Sequence, residues 1–154
     1  MKKILYFSGS KFPLAGLAGA IHTGSLPLGR EPSGSEIWNL WFMNMKKGEE
    51  GKIIALGKDE WDNEIYALSV KGERGMPFRL VKSFLSIHEI SEDKLSFVDT
   101  GLNDNLLILA GKMFRQVSFL IPAGQFLTLL GIKKFYPRLT NLVIDIRTGL
   151  ANLP

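Results

Sequence analysis

The chain has 154 residues, 45% of them hydrophobic and 22% charged, a balance that suits one soluble domain able to bury about two-thirds of its unfolded surface. It has no cysteine, which excludes disulfides, thiolate metal ligands and a cysteine nucleophile. The net charge of +4 is lopsided: residues 1–105 carry 13 Lys/Arg against 14 Asp/Glu, whereas residues 106–154 carry 6 against Asp145 alone. Six cations over that length form no dense patch, so a nucleic-acid partner is not expected.

Lys2-Lys3 precedes only four apolar residues, Ile4–Phe7, too few for a secretory signal. Leu106–Ile132 is apolar but is interrupted by Lys112, Arg115 and Gln116 and broken at Pro122-Ala123-Gly124. A spanning helix needs about 20 mostly apolar residues, so the expectation is a cytoplasmic protein with no membrane partner.

Residues 2–8 read as a first strand, buried on both faces because the apolar run does not alternate. A helix is predicted from Pro13, suited to a first helical position, to His22, with Gly24 as its stop. Ser25–Gly34 is a loop. Ser33 with Glu36 three residues on is a capping box, opening a short apolar helix through Ile37, Trp38, Trp41, Phe42 and Met43. Lys46–Gly51 is a turn. Lys52–Gly57 and Glu64–Val70 read as strands of a hairpin joined by Lys58–Asn63.

Met76–His88 reads as an amphipathic helix, with Phe78, Val81, Phe84, Leu85 and Ile87 mostly on one side. Leu95–Val98 is a short strand ending at Asp99-Thr100-Gly101. A helix follows over about Asn105–Leu120. Gln125–Leu130 is predicted as the last strand, closed by Gly131, and a final helix starts near Phe135. The alternation predicts a single α/β domain, 1–154: a three-layer sandwich with a mostly parallel, mixed sheet, one β-hairpin and helices on both faces, Rossmann-like in outline.

Several segments, in this order, resemble a family of small uncharacterised bacterial proteins, found mainly in Firmicutes and known only as a domain of unknown function. They are the Ile4–Phe7 strand, Ala20–Pro27, Gly57–Tyr66, Asp99-Thr100 and Gly131–Pro137. The resemblance implies an α/β domain and no established activity. Family members carry a His-Ser-Ser triplet where the first helix begins; Pro13, Leu14 and Ala15 hold those places here.

In an open α/β sheet, ligands bind beyond the carboxyl ends of the parallel strands. Three segments are expected to meet there: Ser8-Gly9-Ser10-Lys11, Asp99-Thr100-Gly101 and Gly131–Lys134. Ser8, Gly9, Ser10, Lys11, Asp99, Thr100, Lys133 and Lys134 then form a candidate site for a small anion, a phosphate or a carboxylate. Neither a Walker A loop nor G-x-G-x-x-G fits around Gly9, so no cofactor is named. Ser8 and Ser10 are nucleophiles by type only, and whether the protein is an enzyme stays open.

His22 and His88 are the only histidines and lack metal-ligand spacing, so no metal site is expected. His22 suits a helix C-terminus without any function. Asp59, Glu60, Asp62 and Glu64 read first as a polar turn and second as paired carboxylates. The aromatic 37–45 segment, with Trp38, Trp41, Phe42 and Met43, is either core, lid or partner surface. It carries the alternative function, a non-catalytic interaction protein or homodimer.

Overall fold

In the computed structural model, which describes residues 1–10, 12–44, 51–70, 75–87, 91 and 94–151, the order of elements follows the predicted alternation as far as the fourth strand. Lys3–Ser8 forms β1, Ile53–Lys58 β2, Glu64–Ser69 β3 and Leu95–Asp99 β4. Leu14–His22 forms α1, Gly34–Trp38 α2, Gly75–Ile87 α3, Leu106–Phe114 α4 and Ile121–Ala151 α5, with 3-10 turns at Trp41–Asn44 and Ser118–Leu120. Lys11, His88 and most of the 46–51 turn lie outside the described residues.

The sheet order is β2-β3-β1-β4. β1 lies between β3 and β4 and runs parallel to both, with Phe7 beside Leu68 and Asp99. β2 and β3 form the antiparallel hairpin. Ile4, Tyr6, Ile65, Ala67 and Val98 face one way, into the main core with α1 and α5. Leu5, Phe7 and Leu68 face the other way, where Val81 of α3 packs against them. Helices on both faces make the three layers.

β1 is apolar at every position from Ile4 to Phe7, and all four are buried, as a central strand covered on both sides requires. α1 is buried along its whole length. Its helix begins one residue after Pro13 and stops at Gly24, whose φ of 77° closes the last turn. Gly19 lets α1 lie flat on the hairpin, because a Cβ there would strike Leu56. The capping box forms as read: Ser33 Oγ accepts from Glu36 N at 3.3 Å, and Ser33 N donates to the Glu36 carboxylate at 2.7 Å.

The predicted last strand is the correction. Gln125–Leu130 is not a strand but part of α5, which runs unbroken from Ile121 to Ala151 and also contains the predicted stop, Gly131, and Pro137. The buried positions Gly124, Thr128, Ile132, Tyr136, Leu139 and Val143 recur every three to four residues, the helical period. A six-residue apolar window is too short to separate that period from a buried strand. Gly131 is there for packing and not as a stop: a Cβ would come within 2.8 Å of Ile108, and the close approach of α4 demands glycine. The helix expected over Asn105–Leu120 is correspondingly shorter, and α4 and α5 form a helical hairpin.

The aromatic segment divides. Ile37, Phe42 and Met43 are buried in the main core, Trp38 packs partly against it, and Trp41 is exposed.

Candidate functional site

At the carboxyl ends of β1 and β4 the two predicted turns lie side by side. Thr100 ties them together: its backbone N–H and its hydroxyl both donate to Phe7 O, each at 3.0 Å. Ser10 Oγ donates to Asp104 and accepts from Phe12 N at 2.9 Å. Ser8 Oγ donates to Ser69 Oγ at 3.1 Å, linking β1 to β3. All three hydroxyls belong to buried residues and are engaged in holding strand ends together. Asp99 is exposed; one of its oxygens accepts from Gly101 N at 2.8 Å, which leaves the other to solvent.

The third segment does not arrive as a loop. Lys133 and Lys134 stand in the middle of α5, where Lys133 pairs with Glu31 at 3.4 Å and Lys134 is exposed. One helical turn beyond Lys134, Arg138 reaches the β4 turn: a Cβ on Gly101 would lie 2.7 Å from its guanidinium. Sequence reading missed Arg138 because its signal, the i, i+4 spacing from Lys134, has meaning only on a helix. Asp104 was missed because nothing local connects it to Ser10.

A second polar cluster lies on the α1 side of the sheet, near the β2–β3 turn. His22, at the end of α1, is joined to Tyr6 of β1, with Nδ1 and Oη 2.6 Å apart, and to Asp59, with Nε2 and Oδ2 3.2 Å apart. The His22 and Asp59 side chains are both 0% exposed. Asp59 also accepts from Trp61 N at 2.9 Å, Asn63 N at 2.8 Å and Asn63 Nδ2 at 2.9 Å. Burial by itself would raise the Asp59 carboxyl, but the Asn63 side chain, the two backbone donors and His22 together hold it below its usual range. Asp59 is therefore an acceptor, which assigns the imidazole proton to Nε2. Nδ1 then accepts from Tyr6, whose phenol burial keeps protonated.

Burial pushes the His22 imidazole below its usual value, more strongly than the Asp59 charge pulls it up. The network is closed and neutral at the histidine, so it braces α1, β1 and the hairpin turn and offers no atom to a ligand. Its pH dependence follows. The unfolded chain holds the His22 proton more tightly than the folded one, so this contribution is complete above about pH 6.5, the ordinary imidazole value, and falls as the pH drops below it. The Asp59 contribution is complete above 3.8 and falls below that. Both losses run toward acid. Denaturant midpoints should decline as the pH falls from about 7.5 to about 5, and His22→Gln, which cannot titrate, should flatten that decline.

The other hairpin carboxylates do not converge. Asp62 pairs with Lys58 at 2.6 Å, Glu64 with Lys3 at 3.1 Å, and Glu60 with Arg147, whose guanidinium stacks over Trp61. Among the described residues no three His, Asp or Glu side chains are grouped to hold a metal ion.

No curated protein and no solved structure matches the chain. One protein family does, described as "Protein of unknown function (DUF3189)", over residues 3–148. That span takes in β1, both clusters and nearly all of α5, and so, as its expected likeness to a domain of unknown function implied, the chain belongs to the DUF3189 family.

Proposed function

We propose that the protein binds a small anionic ligand, a phosphate or a carboxylate, at the carboxyl edge of β1 and β4. The reading is carried by one observation: Lys134 and Arg138 stand a turn apart on α5, with the Arg138 guanidinium against Gly101, and neither has an ion-pair partner among the described residues. Like charges at this spacing repel by about 0.2–0.5 kcal/mol, a cost that a bound anion would remove. The backbone N–H groups of Gly9 and Ser10, which close the end of β1, make no hydrogen bond among the described residues and add two donors. Ser8, Ser10 and Thr100 shape this edge through the bonds they make within the fold. With those hydroxyls engaged and His22 sealed away, the groups left at the edge suit recognition rather than nucleophilic attack.

Thermal unfolding in inorganic phosphate, acetate and glycerol tests the reading. The two anions should stabilise the wild type, by about 2.7 kcal/mol at a hundredfold excess over Kd, and glycerol should show no such saturable effect. Each charge-assisted bond contributes about 1.5–3 kcal/mol, so Lys134→Gln with Arg138→Gln should weaken anion binding by roughly tenfold or more. Equal stabilisation of that double variant, or none of the wild type, would refute the site.

A further inference from the structure

The helical hairpin is the part of the molecule that neither cluster explains. α4 packs chiefly against α5, through Ile108 and Gly111 on one helix and Gly124, Thr128 and Gly131 on the other. Each helix therefore turns its opposite side outward. On α4 that side carries Leu106 and Met113, 84% and 67% exposed; on α5 it carries Phe126, 60% exposed. The turn between them, where a hairpin in water would be polar, carries Val117, Phe119 and Ile121, with Phe119 80% exposed. From Gly131 to Ile121 the hairpin extends about 15 Å at 1.5 Å per residue.

Its charge is one-sided as well. Residues 105–144 include Lys112, Arg115, Lys133, Lys134 and Arg138 and no Asp or Glu. Arg115 lies over the Trp38 ring, 4.6 Å from its centre, which sets a cation and an indole beside the hairpin.

We propose that the tip of the α4–α5 hairpin docks shallowly on an anionic lipid surface. Two observations select lipid over a protein partner. Met113, Phe126 and Phe119 lie on the two sides and at the end of the hairpin within about 10 Å of its tip; a second protein surface covers one of those sides, whereas an interface entered by the tip covers all three and leaves Leu106 outside. The charge matches too, because residues 105–144 set Lys112 and Arg115 near the tip and bring no Asp or Glu to oppose anionic headgroups. Gln116 and Ser118 in the turn fit insertion to headgroup depth, about 5–10 Å, and not beyond. No helix of the described residues is long and apolar enough to cross a membrane, and this docking requires none.

Flotation with vesicles is the test. The wild type should float with phosphatidylcholine vesicles containing about 30% phosphatidylglycerol, float poorly with phosphatidylcholine alone, and be released by salt. Phe119→Ser with Phe126→Ser should reduce the bound fraction roughly tenfold while leaving the far-ultraviolet spectrum and the melting temperature unchanged, since both side chains are exposed. The proposal is overturned if the wild type fails to float with the anionic vesicles, or if the double variant floats as well as the wild type. It is also overturned if the wild type sediments as a dimer that the double variant breaks, which would assign the face to a second copy.

Discussion

His22→Ala should cost about 3–5 kcal/mol of folding stability, the largest effect expected from a single substitution outside the apolar core. It removes a buried ring and leaves two buried groups without a partner, the Tyr6 hydroxyl and one oxygen lone pair of Asp59. Each unmet group costs about 1–3 kcal/mol, and the cavity adds to that. A domain of this size loses roughly 2–4 °C of melting temperature per kcal/mol, so a fall of about 6–20 °C is expected. His22→Gln, able to donate to Asp59 and accept from Tyr6, should recover a good part of the loss. Tyr6→Phe leaves only Nδ1 unmet and should cost about 1–3 kcal/mol. Urea midpoints of the single variants and of Tyr6→Phe with His22→Ala give the coupling between the two; strictly additive values would show that they do not act as a unit.

Substituting alanine for Gly111 or Gly124 should destabilise the chain even though alanine is the better helix former. A Cβ on Gly111 would lie 2.7 Å from Gly124 O and 2.9 Å from Thr128 N; one on Gly124 would lie 2.7 Å from Gly111 O and 2.8 Å from Arg115 N. These neighbours are backbone atoms and cannot turn aside, so α4 and α5 have to part. Overpacking of that kind costs about 1–3 kcal/mol, set against a propensity gain of about 1 kcal/mol. Gly149, in the same α5, has nothing within 4 Å of its would-be Cβ, and Gly149→Ala should stabilise by about 1 kcal/mol. Opposite signs at the two ends of one helix, read from denaturant midpoints, would establish that glycine here serves close packing; a gain at Gly111 would refute it.

The proposed anion edge was half legible. Ser8–Ser10 and Asp99–Gly101 could be set together because each follows a short segment that the alternation of strands and helices places in a parallel sheet, and the sheet order does bring β1 beside β4. Gly131, read as the close of a strand, places Lys133 and Lys134 in a loop ahead of a helix that starts near Phe135. Here Gly131 answers to the approach of Asn105 and Ile108, a contact made across 26 residues of chain. The Tyr6–His22–Asp59 network was invisible for the same reason: its members are 16 and 37 residues apart, and no spacing rule joins a strand, a helix end and a hairpin turn.

Local chemistry in the sequence was enough to determine β1, α1 with its Gly24 stop, the Ser33–Glu36 cap, the β2–β3 hairpin and the α/β class, because each depends on residues within about one element of one another. The helicity of Gln125–Leu130, the burial of Phe42 but not Trp41, and the pairing of Arg138 with the β4 turn were decided only by the tertiary structure. A short apolar run satisfies a strand and a helix equally well, and what chooses between them is the surface it is packed against.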